Sequence, residues 1–271
     1  MTEITLVAPE IAEKAQTGQF VILRIDEKGE RIPLTLFKWD AQKGTVTLIF
    51  QQLGVSTKKL GALKVGDEIL NIAGPLGNQS HIENYGVTVV VCGGVGTVAS
   101  YPIAKALKAA GNKIVSILGA RNQNLLILEE EMKAVSDEFY ISTDDGSKGQ
   151  KGFVSDVLKM LIESERHFDI VYAIGPVPMM RATAEVTRPF NIKTIVSLNP
   201  IMVDGMGMCG SCRVTVNGTR KFACIDGPEF DAHLTDFQEL IGRLRQYSSE
   251  EHAALTFRET GEGGSCACRK R

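Results

Sequence analysis

Val87-Thr88-Val89-Val90-Val91-Cys92-Gly93-Gly94-Val95-Gly96-Thr97-Val98-Ala99 is a short apolar run, rich in β-branched residues, that stops at a glycine cluster. Its first six residues have no polar alternation, which fits a strand buried on both faces of a parallel sheet. The stretch after the glycines, Ala99 to Ala110, reads as a helix ended by Gly111. Glycines between strand and helix let backbone N–H groups approach a phosphate, which then sits at a helix N-terminus. Taken alone, Gly94-x-Gly96-x-x-Ala99 also fits a plain tight turn, but its strand–turn–helix setting suits nucleotide binding. One element of an ordinary dinucleotide fingerprint is missing. About 20 positions on, where an acidic residue would meet a ribose, the chain has Leu118-Gly119-Ala120-Arg121.

Downstream the same alternation continues. Strands are predicted at Lys113–Leu118, Glu138–Ser142, Ile170–Ile174 and Lys193–Leu198, with helices at Leu125–Val135, Val154–Ile162 and Pro178–Val186. Alternating strands and helices imply right-handed crossovers and a doubly wound parallel α/β domain over residues 86–198. Ligands of such sheets bind at the strands' carboxyl edge, so Gly175-Pro176 joins Gly94, Val95, Gly96 and Thr97 as candidate lining. Upstream, Gln19–Ile25, Pro33–Phe37, Thr45–Phe50 and Ile69–Ile72 read as short strands between turns. Their spacing predicts an N-terminal antiparallel β-barrel over residues 1–85. Arg31, Pro33 and Thr35 share one face of a strand by period two, placing a cation and a hydroxyl side by side.

The third block carries most of the chain's thiols. Of six cysteines, Cys92 stands in the buried run as a core thiol, and Cys209, Cys212, Cys224, Cys266 and Cys268 lie in the last quarter. Cys209-Gly210-Ser211-Cys212 lets two thiolates converge on one metal centre. A hairpin turned by Asn217-Gly218 returns Cys224 to the same place. The fourth ligand is Asp204, Cys266 or Cys268. Asp204 is favoured because the loop Asp204-Gly205-Met206-Gly207-Met208 already carries it there, whereas the tail must close a long loop. Three Cys and one Asp also suit zinc, although the Gly- and Met-rich loop fits a larger iron–sulfur core better. Residues 199–232 form this lobe, and 233–271 a polar tail with an amphipathic stretch around Phe237 to Tyr247.

With 271 residues, 30 basic against 32 acidic side chains and a net charge of −2, nothing points to nucleic acid or a membrane surface. No apolar run approaches the roughly 18–20 residues that span a bilayer, and the first residues do not follow a signal-peptide order, so a cytoplasmic protein is expected.

The three blocks in this order, Arg31-x-Pro33-x-Thr35, Gly93-Gly94-Val95-Gly96 and the cysteine loop, resemble the ferredoxin reductase–like electron-transfer subunits typified by that of dihydroorotate dehydrogenase. The resemblance covers roughly residues 1–235. It implies an oxidoreductase subunit with FAD on the barrel, NAD(H) on the α/β domain and a [2Fe–2S] cluster in the C-terminal lobe. It places Arg31, Pro33, Leu34 and Thr35 at the flavin, with Leu48, Ile49, Phe50 and Gly54-Val55-Ser56-Thr57 at its ribityl and phosphate groups. It adds Arg121, Asp144 and Asp145 to the nicotinamide-nucleotide site, and Asp204, Cys209, Cys212 and Cys224 as cluster ligands.

In the dihydroorotate type the first ligand is a cysteine. Asp204 at that position is more similar to the small subunits of NADH-dependent ferredoxin:NADP⁺ oxidoreductases. That implies a cytoplasmic heterodimer in which hydride passes between NADH and FAD. Single electrons then pass through the cluster to a larger flavo-iron–sulfur partner, which handles NADP(H) and ferredoxin by electron bifurcation. The same module could serve dihydroorotate dehydrogenase or a sulfide- or polysulfide-linked reductase, and a zinc-stabilised nucleotide-binding regulator is the alternative without redox chemistry. A single cation near the nucleotide, Arg121, favours NADH over NADPH.

Overall fold

In a computed structural model that describes residues 1–260, the chain opens with strand β1 (Thr2–Val7), helix α1 (Pro9–Lys14) and β2 (Phe20–Arg24). Then come β3 (Arg31–Thr35), β4 (Lys38–Asp40), β5 (Thr45–Phe50), helix α2 (Val55–Leu60) and β6 (Asn71–Leu76). These strands form two three-stranded antiparallel sheets, β1-β5-β4 and β3-β2-β6. The strands expected from the sequence are present, but hydrogen bonds join them as two ladders instead of one continuous barrel wall. The first strand and α2 were not legible in the sequence. Ile4 and Leu6 of β1 alternate inward onto a core shared with Val21, Leu23, Leu36 and Leu48.

The second block runs β7 (Val87–Gly93), α3 (Gly96–Ala109), β8 (Lys113–Ala120), α4 (Glu129–Val135), β9 (Glu138–Thr143) and β10 (Gln150–Lys151). It continues through α5 (Val154–Glu163), β11 (Ile170–Ile174), α6 (Val177–Thr187) and β12 (Lys193–Ser197). The sheet order is β10-β9-β8-β7-β11-β12, all parallel. Strand order therefore reverses at β7, which lies between β8 and β11. That makes the crevice beyond β7 and β11 the topological switch point where such sheets bind ligands. Val90 and Cys92 face the α3–α4 side with Leu107 and Met132, whereas Val89 and Val91 face the α5–α6 side with Leu158 and Met180. Burial on both faces is why the run has no polar alternation.

The helix expected at Leu125–Val135 is broken. A 3₁₀ turn covers Gln123–Leu125, Leu128 adopts a left-handed φ of 54°, and α4 starts only at Glu129. Ile127 and Leu128 are used instead to pack against Phe37, Ile49 and Val98, across to the first block. Tertiary contact overrides helix propensity here.

The last block is the hairpin β13 (Arg213–Val216) and β14 (Thr219–Phe222), then β15 (Glu229–Asp231), α7 (Phe237–Leu244) and α8 (Ser248–Thr260). Asn217 and Gly218 both have positive φ, 49° and 68°, as a type I′ turn requires. Strand β15 adds antiparallel to β12, so the sheet is mixed with seven strands. Helix α8, unforeseen in the polar tail, returns to the first block, where Arg258 Nη1 donates to the Val55 carbonyl of α2 at 2.6 Å. Among the described residues, no helix is long and apolar enough to cross a membrane.

Glu138, at the head of β9, accepts from Arg166 at 2.7 Å and lies 3.0 Å from Lys113. The guanidinium first, then the lysine and the Tyr140 hydroxyl, hold its carboxyl at about 2, below its ordinary 4.5. A depressed carboxylate contributes stability above its unfolded value and loses it as pH falls toward the folded one. Glu138→Gln is therefore expected to cost about 1–2 kcal/mol at neutral pH, less than the full shift because the pair is partly solvated. Denaturant melts across a pH series should show that deficit shrinking between pH 4.5 and about 2.

Candidate functional site

At the switch point the backbone makes the turn that the glycines predict. Gly94 has a φ of 54°, and its N–H donates to the Gly119 carbonyl at 2.9 Å. Thr97 closes the turn, its hydroxyl donating to the Gly94 carbonyl at 2.8 Å. A side chain on Gly96 would collide with the Ile174 carbonyl, so this glycine exists for the approach of α3 to the end of β11. At Gly94 the opposite holds, because a Cβ there meets nothing within 4 Å. That open space above a helix start is where a phosphate fits. Gly175 completes the crevice, 3.1 Å from the Gly93 Cα measured from where its Cβ would stand. Met179 was not predicted. Its thioether lies over both Gly93 and Gly175, and the readable signal was Gly175-Pro176-Val177-Pro178-Met179 opening a helix at the strand end.

Arg121 and the pair Asp144-Asp145 come together as expected, at the ends of neighbouring strands β8 and β9. Asp144 N–H donates to the Ala120 carbonyl and Asp145 N–H to that of Arg121, at 3.1 and 3.3 Å. All three side chains are exposed. The Ser147 side chain and N–H keep the Asp145 carboxyl below the usual range.

On the first block, Arg31 and Pro33 are exposed and Thr35 half-buried, whereas Ile32 and Leu34 pack inward. Directly paired residues of antiparallel strands share a face. The register Arg24↔Arg31, Ile22↔Pro33 and Phe20↔Thr35 thus puts Arg31, Pro33 and Thr35 on the face of Phe20 and Ile22. That face is turned toward the thiol loop. A Cβ on Gly205 would press on Ile22 and Leu76, and Phe20 and Ile22 share one core with Cys212 and Cys224. Leu48 and Phe50 are different, because both side chains are consumed by the β core. Those positions can offer a ligand only main chain, and β4 pairs with Thr45–Thr47 alone, leaving one backbone edge of 48–50 outside that ladder. Ile49 points to the second block, against Phe37 and Val98. Gly54 has open space at its Cβ position. Thr57 accepts the N–H groups of Leu53 and Gly54 at 3.1 and 3.0 Å, and the Ser56 hydroxyl donates to Glu30 at 2.7 Å.

The thiol loop is wound tightly by Gly205, Gly207 and Gly210, all at φ between 68° and 78°. Cys212 and Cys224 are buried with sulfurs 3.2 Å apart, brought together by the hairpin. Burial first, and the neighbouring Cys212 thiol second, push Cys224 up to about 12. Cys209 is exposed, its sulfur accepting the Ser211 N–H at 3.5 Å. Burial opposes its thiolate, but Ser211 and the loop backbone outweigh that and lower it. The Asp204 carboxylate accepts N–H groups from Met206, Met208 and Cys209, at 2.9, 3.2 and 2.7 Å, and the Met206 bond leads in holding it below the usual range. Two of the four expected ligands therefore converge, and two flank them in the same loop. Among the described residues no three such side chains meet as a ready cage. The donor set nonetheless suits a cluster, with soft thiols and a carboxylate on one loop whose N–H groups donate to Asp204 and to the Cys209 sulfur. Cys266 and Cys268 lie outside the described residues.

Residues 90–185 match the model of the oxidoreductase NAD-binding domain, and residues 199–236 that of the iron-sulfur cluster binding domain of dihydroorotate dehydrogenase B. A Thermotoga maritima protein described as a homolog of the dihydroorotate dehydrogenase B (NAD(+)) electron transfer subunit is 50% identical over 244 residues, 90% of this chain and 86% of its own. The chain belongs to that electron-transfer subunit family. The Bacillus caldolyticus electron transfer subunit is 37% identical over 85% of this chain and 90% of its own. Among solved structures, a chain of the NADH-dependent reduced ferredoxin-NADP oxidoreductase, studied for flavin-based electron bifurcation, superposes with a TM-score of 0.89. It is 47% identical, over 95% of this chain and 93% of that one. The cytochrome b5 reductase domain of Ulva prolifera nitrate reductase, 18% identical over 72% of this chain and 89% of its own with a TM-score of 0.54, shares the fold. This electron-transfer subunit is thus an oxidoreductase component of ferredoxin reductase–like fold, with FAD, an iron–sulfur cluster and NAD(H) as its cofactors. The zinc alternative loses to the iron–sulfur domain match.

The two turn glycines should respond differently to alanine. Gly96→Ala is expected to lower stability by about 1–3 kcal/mol through the clash at Ile174, read as a fall in Tm. Gly94→Ala should cost only about 1 kcal/mol of stability for its left-handed φ, yet weaken NADH binding measured by calorimetry.

Proposed function

We propose that this subunit carries FAD on residues 1–85, NAD(H) on 86–198 and a [2Fe–2S] cluster on 199–232, and serves an electron-bifurcating NADH-dependent ferredoxin:NADP⁺ oxidoreductase. The chemistry of the bound groups is hydride exchange between nicotinamide and flavin, and single-electron transfer through the cluster to a larger flavo-iron–sulfur partner. One observation carries the reading. The face bearing Arg31, Pro33 and Thr35 is the face on which Gly205 of the thiol loop packs, so a flavin held there lies beside the cluster ligands.

Each residue's task follows from its placement. Arg31 presents a fixed cation to a pyrophosphate, and the Thr35 hydroxyl reaches toward a ring nitrogen. The turn at Gly54, Ser56 and Thr57 offers open backbone to the same ligand, with Leu34 supporting the strand and Leu48, Ile49 and Phe50 contributing main chain. Gly94, Val95, Gly96 and Thr97 present N–H groups to the nucleotide phosphates, Gly175 and Pro176 wall the crevice, and Arg121, Asp144 and Asp145 reach the ribose side. Asp204, Cys209, Cys212 and Cys224 would hold the cluster. No side chain need act as a general acid or base, because the bound groups carry the chemistry. The tail from residue 233 extends the surface offered to the partner in a cytoplasmic heterodimer.

A dihydroorotate dehydrogenase partner is the second reading, favoured by identity to the Thermotoga maritima protein. Asp204 at the first ligand position weighs against it.

Asp204→Ala, and serine at Cys209, Cys212 or Cys224, should abolish or distort the cluster's EPR signal and lower bound iron, whereas Cys266→Ser and Cys268→Ser leave both unchanged. Iron lost in the tail variants and kept in Asp204→Ala would reverse the ligand assignment. Anaerobic flavin reduction should be at least about tenfold faster with NADH than with NADPH, since one exposed arginine gives little hold on a 2′-phosphate. The purified complex should reduce NADP⁺ with NADH and reduced ferredoxin together, and be inactive with dihydroorotate.

A further inference from the structure

The segment from Gly77 to Ser80 links the first block to the second, yet its bonds go elsewhere. On one side it is tied to the turn before β2. The Gln19 side chain donates to the Gly77 carbonyl at 2.9 Å, Ser80 N–H donates to the Thr17 carbonyl at 2.8 Å, and any side chain on Gly18 would run into Ser80. On the other side it is tied to the strand that leaves the thiol lobe. Asn78 N–H donates to the Gly227 carbonyl at 2.7 Å, and its side-chain amide to the carbonyl of Ile225, the residue after Cys224, at 3.1 Å.

The lock between the two sides is a side-chain pair. Ser80, only 6% exposed, donates its hydroxyl to Glu229 Oε1 at 2.5 Å. Glu229 heads β15, opposite Ser197 of β12, and Leu198 N–H donates to the neighbouring Pro228 carbonyl. One carboxyl thus joins flavin block, linker, nucleotide sheet and thiol lobe. Its surroundings are poor in countercharge, with Glu83, His81, and the hydroxyls of Tyr85 and Tyr172, both of which donate to the His81 carbonyl. Burial holds the Glu229 carboxyl above its usual range. Enclosing a carboxyl is costly, and an apolar side chain would avoid that cost. What the polar pair adds to the shared core and the Asn78 bonds is a further directional tie on the lobe's position.

We propose that Glu229, acting through the Ser80 hydroxyl, is a positioning residue that holds the thiol loop at a fixed distance from the flavin-binding face and so governs electron transfer between them. This rests on the flavin and cluster assignments above. Electron transfer through protein falls steeply with distance, whereas the nucleotide crevice is built at Gly94, Gly96 and Gly175, which neither Ser80 nor Glu229 touches. The two steps should therefore separate.

The test is anaerobic stopped-flow of the intact cofactor-loaded complex with NADH, following flavin bleaching and freeze-quenched cluster EPR, in wild type, Glu229→Ala, Glu229→Gln and Ser80→Ala. Both alanine variants are expected to slow cluster reduction about tenfold or more, as small misplacements do. Flavin reduction and iron and flavin content should stay within about twofold of wild type, and Glu229→Gln, which still accepts from Ser80, should behave as wild type. Hydrogen exchange over residues 77–80 and 225–229 should quicken in the alanine variants only. Wild-type cluster reduction in Ser80→Ala, equal slowing of both steps, or Glu229→Gln as slow as Glu229→Ala would each overturn the proposal. A wild-type complex in which NADH bleaches no flavin and reduces no cluster would overturn the cofactor assignment itself.

Discussion

Strand β2 is buried on both sides, and the rest of the molecule is arranged by that constraint. Val21 and Leu23 belong to the core of the N-terminal sheets, while Phe20 and Ile22 belong to a second core with Val89 and Val91 of the nucleotide sheet and Cys212 and Cys224 of the thiol lobe. A close-packed core has few alternative arrangements. Sharing one core among three blocks therefore fixes the face of Arg31, Pro33 and Thr35, the sheet's carboxyl edge and the thiols with respect to each other. Electron transfer needs that fixed spacing more than it needs reactive side chains.

The glycines show how close these approaches are. Gly205 lets the thiol loop touch Ile22 and Leu76, Gly96 lets α3 reach the end of β11, and Gly119 leaves room for Val154 of α5. Gly94 and Gly54 do the reverse, leaving space that no protein atom fills. Glycines that permit packing and glycines that permit a ligand look the same in a sequence. Only the direction in which the missing Cβ would point tells them apart.

Much of the fold was legible. The parallel strands and their helices were read to within a few residues because burial on both faces and helical periodicity leave strong local patterns, and Asn217-Gly218 announced its own turn. What failed had a tertiary cause. Leu125–Val135 breaks at Leu128 to feed a contact with Ile49 and Val98. Leu48 and Phe50 put their side chains into the core, which leaves only main chain for a ligand at those positions. Helix α8 lies in a stretch too polar to announce itself, and rests on α2 through Arg258.

By itself the sequence determined the alternation that makes the doubly wound sheet, the tight turn at Gly94 and the spacing that brings Cys212 and Cys224 together, because each depends on neighbours a few residues apart. Only the tertiary structure decided that Arg31, Pro33 and Thr35 face the thiol loop, that Met179 covers the switch-point glycines, and that Ser80 meets Glu229. The Ser80–Glu229 bond alone joins residues 149 positions apart. These relations follow from strand register and shared packing, which no local pattern of residues encodes.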